Sequence, residues 1–156
     1  MPDTDPEVNR SSLERFSGED FTLAYTLLRM TLGVNIALHG ISRLLAGSAA
    51  FVGALAKQFA STPLPDFAVR GFGHALPWLE ALIGLLILFG VFTRVALVAG
   101  ALLIVVLTFG STLHQDWDIA GLQLIYAAVY FILIALQRHN SFSLDRLFHP
   151  ASYAAN

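Results

Sequence analysis

The sequence predicts an all-α integral membrane protein: a four-helix bundle with a short interfacial helix between the first and second spans. Of its 156 residues, 56% are hydrophobic and only 13% are charged, whereas soluble domains carry about 25% charged residues. The apolar residues also occur in runs of about 20, the length that crosses the hydrocarbon of a bilayer. We therefore expect the lipid bilayer to be the solvent and the first partner of this chain.

Cysteine content and charge exclude several classes of protein. The chain has no cysteine, so it forms no disulfide, no thiolate zinc site and no iron–sulfur cluster of its own. Its nine Lys and Arg residues are scattered and its net charge is −2, so it lacks the basic patch that binds nucleic acid. No nucleic-acid partner is expected.

The first span follows an acidic segment. Residues 1–20 contain six of the eleven Asp and Glu residues, so we expect this segment outside the membrane. Ser17, with Asp20 three positions later, predicts a helix N-cap, and the first span then covers about 21–45. Residues 48–60 are too few and too polar to cross the bilayer, and we predict an interfacial helix there.

Two further spans follow. Pro77 suits the first turn of a helix because it lacks an amide hydrogen, so the second span is predicted to begin within 71–77 and to cover about 74–92. The third span, about 94–113, is free of charge beyond its first residue, and Thr93 is placed to cap it. This third span is the clearest transmembrane signal in the chain.

The fourth span is predicted at about 119–137, with an acidic cap at its start. The membrane domain as a whole covers 21–147, and residues 148–156 form a C-terminal tail. Basic residues favour the side of the two termini by five to three, which predicts cytoplasmic termini. The five are Arg10, Arg15, Arg94, Arg138 and Arg146, and the three are Arg43, Lys57 and Arg70.

Polar side chains inside the spans call for an explanation, because an ionisable group near the bilayer centre costs at least about 2.5–3.5 kcal/mol. In the first span the polar side chains share one face of the helix, here called the polar stripe. Gly33 and Gly40 lie beside this stripe and allow a neighbouring helix to approach, so the stripe is expected to face the bundle interior. Glu80 is the expected countercharge to Arg29 or Arg43. That these groups only hold the helices in register remains an alternative. The polar stripe, which occupies one third of the helix surface, consists of Arg29, Asn35, His39 and Arg43.

The third and fourth spans offer a second polar group. His114 closes the third span, and Gln123, Tyr126 and Tyr130 form one face of the fourth, where they either line a cavity or pack between helices. The histidines at 39, 74 and 114 lie at span ends or in a connection, with no pair deep on facing helices, which argues against haem. No metal site is predicted.

Several short motifs occur in a fixed order along the four spans. They are Arg29-x3-Gly33, His39-Gly40 with Arg43, Pro77 with Glu80, Gly90-x2-Thr93-Arg94, the histidine ending the third span, and Ser143-Leu144-Asp145. In this order they resemble the DoxX family over about residues 21–147. The pattern departs from the family at Arg43, where lysine is common, and at Asn140 and Ser141, where glycines are expected. Asparagine tolerates a left-handed backbone, so we expect the turn to survive.

The resemblance implies a small four-helix membrane protein related to the DoxD subunit of thiosulfate:quinone oxidoreductase, in the cell membrane of a bacterium or archaeon. The cofactor that the resemblance implies is quinone. A quinone head group needs an apolar groove and hydrogen-bond donors for its carbonyls. The expected proton-handling residues are Glu80, His39 and Arg43. The expected quinone-binding residues are Arg29, Asn35, His114, Gln123 and Tyr126.

Other functions compete with a quinone-linked oxidoreductase subunit. A non-catalytic assembly subunit of a larger membrane complex would use the same polar groups only for packing. A small transporter would need a continuous polar path, which the apolar third span does not offer. Because the chain has no redox centre of its own, a partner protein carrying one is expected, and the chain alone is not expected to be a complete enzyme. Other copies of this chain are a further candidate partner.

Overall fold

The computed structural model describes residues 18–148, and every regular element within that range is a helix. Four helices are long and two are short, with one 3₁₀ turn between the last long helix and the last short one. They are α1 (Gly18–Leu45), α2 (Ser48–Gln58), α3 (Asp66–Phe89), α4 (Thr93–Leu113), α5 (Trp117–Ala135), the 3₁₀ turn (Gln137–His139) and α6 (Leu144–Phe148). The predicted acidic segment before residue 18 and most of the predicted tail lie outside the described residues.

The four long helices have the length and composition of membrane spans. Even the shortest has 19 residues, which is about 28 Å at 1.5 Å per residue. Large apolar side chains cover their outer surfaces, as at Leu102 (61% exposed), Val105 (63%) and Phe131 (72%). Such a surface matches lipid rather than water. The predicted four-helix membrane bundle, in contact with the bilayer, is confirmed.

Helices α1 and α3 pack closely and run antiparallel. Three glycines make this possible, because a Cβ atom built on Gly33, Gly40 or Gly84 would lie 2.6, 2.3 or 2.2 Å from a backbone nitrogen of the facing helix. Any larger side chain would force the helices apart. The close approach predicted at Gly33 and Gly40 is confirmed.

Helices α4 and α5 form the second close pair. Here a Cβ on Gly100 would lie 2.3 Å from the hydroxyl oxygen of Tyr130, whose side chain is 1% exposed. The bundle therefore consists of two tight pairs, α1 with α3 and α4 with α5. Helix α2 lies against the first half of α3, where Val52 and Leu55 approach Gly73.

Two predicted helix starts are wrong. Helix α3 begins at Asp66 and Pro77 lies inside it, so the predicted start within 71–77 is about two turns late. The missing amide of Pro77 leaves only the carbonyl of Gly73 without its helical donor, and spanning helices tolerate such a break. Thr93 does not cap α4, because the N-cap residue is Phe92 and no side chain of its own caps the helix.

The cap of α4 comes from the C-terminal segment. The Asp145 carboxylate accepts hydrogen bonds from the backbone nitrogens of Phe92 (2.6 Å) and Thr93 (2.8 Å). Its own backbone nitrogen donates to the Gly90 carbonyl at 2.9 Å. The end of the bundle that holds the 90–92 turn and residues 137–148, here called the terminal end, is thereby closed by the chain after the fourth span.

Asn140 and Asp116 complete the polar contacts at the helix ends. Asn140 has a φ of −74°, so the expectation of a left-handed turn residue there is wrong. Its amide is instead buried and donates to the Thr93 hydroxyl at 3.1 Å. At the opposite end, Asp116 accepts from the Ile119 nitrogen at 3.2 Å, and the predicted acidic cap of the fourth span is confirmed.

Candidate ligand-binding cavity

A cavity of about 540 Å³ lies at the loop end of the bundle, the end that holds residues 46–65 and 114–116. Helix α2 and the first half of α3 form one wall, and the last turns of α4 form the other. Most of its lining is apolar, with four phenylalanines from separate elements: Phe51, Phe59, Phe72 and Phe109. Its polar lining residues are Arg43, Gln58, Ser111 and Asp116.

Arg43 brings a positive charge to this cavity from the last turn of α1. Its guanidinium donates to the Glu80 carboxylate, and its Cζ lies 4.7 Å from the centre of the Phe51 ring. Glu80 is 5% exposed, whereas the Arg43 side chain is 29% exposed. Glu80 thus lies behind Arg43 in the α1–α3 interface, and Arg43 rather than Arg29 is its partner.

Ser111, in the last turn of α4, is one of the residues that line the cavity. The Gln123 side-chain nitrogen donates to the Ser111 hydroxyl oxygen at 3.0 Å, so the amide reaches the cavity only through Ser111. The Gln123 side-chain oxygen is buried and has no hydrogen-bond partner among the described residues. The sequence prediction chose Gln123 and missed Ser111, although the hydroxyl lies one turn before the predicted His114.

His114 supports the cavity wall from outside. Its ring lies against Phe59, with ring centres 5.7 Å apart and planes tilted by 31°, and His114 itself does not line the cavity. The phenylalanine walls carry no sequence signal, because they come from helices and connections that are far apart in the chain. A single-span pattern therefore did not reveal them.

Asn35, His39 and Tyr126 form a separate group away from the cavity lining. The Tyr126 hydroxyl donates to the Asn35 side-chain oxygen at 2.9 Å and bridges α1 to α5, and His39 Nδ1 lies 2.8 Å from the Asn35 carbonyl oxygen. Both Asn35 and His39 are exposed on the surface of α1. The prediction that the whole polar stripe faces the bundle interior is wrong for these two, because the glycine face turned toward α3 lies nearer to Arg29 and Arg43.

Arg29 lies near the other end of the bundle. Residues 29 and 43 are separated by about 21 Å along the helix. The Arg29 guanidinium donates to the carbonyls of Ile87 and Leu88 in the last turn of α3, where the helix dipole is negative, and to the Phe142 carbonyl at 2.8 Å. Arg29 is 2% exposed, and it binds the segment after α5 to the bundle at Phe142, so it shares no site with Arg43.

The structure divides the predicted site residues into three places. The cavity has Arg43 on its wall, with Glu80, Gln123 and His114 immediately behind the wall. The α1–α5 bridge holds Asn35 and Tyr126 with His39 beside them, and the terminal end holds Arg29. A cavity lined by a cation, a hydroxyl, an amide, a carboxylate and several aromatic rings is suited to a flat, largely apolar molecule with hydrogen-bond acceptors.

The chain was also compared with known proteins. The model of the DoxX family matches residues 24–115, which is more than half of the chain and includes α2 together with most or all of α1, α3 and α4. No curated protein and no solved structure matches the chain. The match, together with the four-helix membrane fold, shows that this chain is a member of the DoxX family.

Proposed function

We propose that this chain is a small membrane subunit of a quinone-linked oxidoreductase and that the loop-end cavity receives the quinone head group. The observation that carries the proposal is the cavity itself. Its volume of about 540 Å³ lies within the range of small-molecule sites. Four phenylalanines offer faces to a flat ring, and Arg43 offers N–H donors to a carbonyl.

The residues around the cavity fit such a group by their chemistry. A bound quinone supplies an acceptor for two electrons and two protons. Arg43 has five N–H donors and donates to Glu80, so other donors remain for a ligand. The buried Glu80 carboxylate accepts a hydrogen bond from the Arg43 guanidinium and so fixes its direction. Asp116 lines the cavity near the 114–116 turn, where a carboxylate can exchange protons with water.

A partner protein completes this proposal. The chain has no cysteine to ligate an iron–sulfur cluster, so electrons must arrive from a reductant or from a subunit that carries a redox centre. We place the protein in the cell membrane of a bacterium or archaeon with its terminal end in the cytoplasm. The cavity then lies toward the outer face of that membrane.

A substitution that fills the cavity tests the proposal. Ala68 is exposed and lines the cavity, whereas Ala75 is exposed on the same helix but lies outside the lining. The full chain, Ala68→Trp and Ala75→Trp would each be purified in nanodiscs from quinone-containing membranes, and the retained lipids and quinones would be measured by mass spectrometry. The native chain and Ala75→Trp are expected to retain quinone and Ala68→Trp to lose it. A native chain that retains none would overturn the proposal.

An assembly subunit of a larger membrane complex is the second candidate. It is favoured by Asn35 and His39, which are polar yet exposed on a spanning helix, where lipid contact is costly and a neighbouring protein would satisfy them. On this function, replacing both by leucine would release stoichiometric partner proteins from the purified complex and leave bound quinone unaffected. Loss of quinone without loss of a partner would contradict it.

A further inference from the structure

We infer that Ser111 is a second hydrogen-bond donor of the cavity, and that the cavity selects a flat ring with acceptors on two separate edges. The inference rests on the proposed function and deepens it, since it names the residue that distinguishes one class of carbonyl ligand from another. Arg43 comes from α1 and Ser111 from α4, so the two donors reach the ligand from different helices.

The hydroxyl proton of Ser111 is available to a ligand. A serine hydroxyl has one proton to donate and an oxygen that accepts, and the oxygen already accepts from Gln123 at 3.0 Å. Among residues 18–148 the Ser111 proton has no acceptor. Thr108, one turn earlier, differs because its hydroxyl donates back to the Ile104 carbonyl of its own helix at 2.8 Å. Ser111 therefore enters the cavity as a donor.

Gln123 is a positioning residue, because its bond to the Ser111 oxygen directs the Ser111 proton toward another acceptor. With its nitrogen toward Ser111, it leaves one buried carbonyl oxygen without a partner. With its oxygen toward Ser111, it would instead leave a buried NH₂ group, which carries two donor hydrogens, without a partner. The structure has the Gln123 nitrogen toward Ser111. In this orientation the Ser111 oxygen is occupied and its proton must find an acceptor elsewhere.

Arg43 and Ser111 are then both donors, because a guanidinium has no acceptor, whereas Gln58 and Asp116, the other polar lining residues, also carry acceptors. A ligand with a single carbonyl can accept a hydrogen bond from Arg43 or from Ser111, and the other donor then forms no hydrogen bond with the ligand. A para-quinone carries a carbonyl on each of two opposite edges and can satisfy both. The phenylalanine walls contact the flat face of the ligand ring. They do not distinguish a ligand with one carbonyl from a ligand with two, since any flat apolar ring packs against them.

The test compares two probes on the full chain in nanodiscs. One is a decyl-tailed para-benzoquinone and the other a decyl-tailed cyclohexenone, which has one carbonyl on a six-membered ring. Binding is measured by calorimetry for the native chain and for Ser111→Ala, Ser111→Thr, Gln123→Leu and Thr112→Ala. The last is the matched control, because Thr112 carries an exposed hydroxyl at the next position of the same helix.

The native chain is expected to bind the para-quinone more tightly than the cyclohexenone. Ser111→Ala should weaken para-quinone binding roughly three- to tenfold, the effect of one hydrogen bond, and leave cyclohexenone binding unchanged. Gln123→Leu should reduce the difference between the probes, while Ser111→Thr and Thr112→Ala retain it. Circular dichroism and thermal unfolding of each variant show whether it is folded. If Ser111→Ala is not, Gln123→Leu carries the test, because it removes the amide that bonds to the Ser111 oxygen.

Three results would overturn the inference. If the native chain binds para-quinone and Ser111→Ala binds it just as tightly, the hydroxyl is not a donor to the ligand, and the proposed function stands without it. If the native chain binds the two probes equally tightly, the inference likewise fails and the proposed function stands. If the native chain binds neither probe and retains no quinone from membranes, the inference and the proposed function both fail.

Discussion

The Arg43 guanidinium donates to the Glu80 carboxylate and joins the first and second spanning helices beside the cavity. The carboxylate is buried and the guanidinium only partly so. Removing either charge therefore leaves its partner in a region of low dielectric constant without compensation. The pair is positioned both to hold the α1–α3 interface and to present Arg43 to a ligand.

Glu80→Gln is expected to lower the free energy of unfolding by about 1–3 kcal/mol, because it leaves a charged group without its partner. The double variant with Arg43→Gln should lose less than the sum of the two single variants. Thermal unfolding in detergent measures each. Asp66→Asn is the matched control, since its ion pair with Arg70 is exposed on the same helix and is worth about 0–1 kcal/mol. If Glu80→Gln and Asp66→Asn lost the same free energy of unfolding, the Arg43–Glu80 pair would contribute no more to stability than an exposed ion pair does.

Gly40→Ala or Gly84→Ala is expected to destabilise the bundle by about 1–3 kcal/mol or more. The added carbon would lie 2.3 or 2.2 Å from backbone atoms of the facing helix, and backbone cannot move aside as a flexible side chain does. Gly121→Ala is the control, because no atom lies within 4 Å of its added carbon. Thermal unfolding of the three variants would contradict the packing if Gly121→Ala lost as much stability as the others.

Asp145→Ala is expected to cost about 0.5–2 kcal/mol, the value of a helix cap, and to make the C-terminal segment more accessible to protease. Arg29→Leu should have the same effect on protease access, since Arg29 binds the Phe142 carbonyl. Limited proteolysis followed by mass spectrometry measures it. Asp118→Asn, an exposed acid in the first turn of α5, is the control. Unchanged cleavage in Asp145→Ala would contradict a cap of α4 supplied by the segment after α5.

Lys57→Cys is expected to react with a membrane-impermeant maleimide on intact cells, and Arg138→Cys only after the membrane is opened. Both positions are exposed, and they lie at opposite ends of the bundle. The chain has no cysteine of its own, so each label reports one site. The opposite pattern would place the termini outside the cytoplasm and the cavity on the inner face.

Much of the fold follows from the sequence because lipid sets simple requirements. A third span without charge beyond its first residue has few alternatives to crossing the bilayer. The glycine positions on the helical wheel also predict where α1 and α3 approach, and Glu80 is the one acid placed to meet Arg43 or Arg29. These features depend on the period of a single helix and on its length, both of which are local.

The remaining features depend on where distant segments meet. The cap of α4 comes from Asp145, 52 positions after Thr93, and no local sequence pattern around α4 predicts it. The helical wheel gives the angle between Asn35 and Arg29 but not the positions of neighbouring helices, so it did not reveal that Asn35 faces outward. The cavity walls come from several elements, and Ser111 acquires its role only through Gln123 on the next helix.

The most direct test of the central claim is photo-crosslinking of the full chain in nanodiscs with a short-tailed azido-para-quinone, followed by peptide mapping. The proposed site predicts labels on the cavity walls, at Phe51, Phe59 or Phe109, with competition by unlabelled para-quinone and loss of label in Ala68→Trp. Competable label confined to the outer surface of α1 and α5, around Asn35 and His39, would contradict a quinone site in the loop-end cavity.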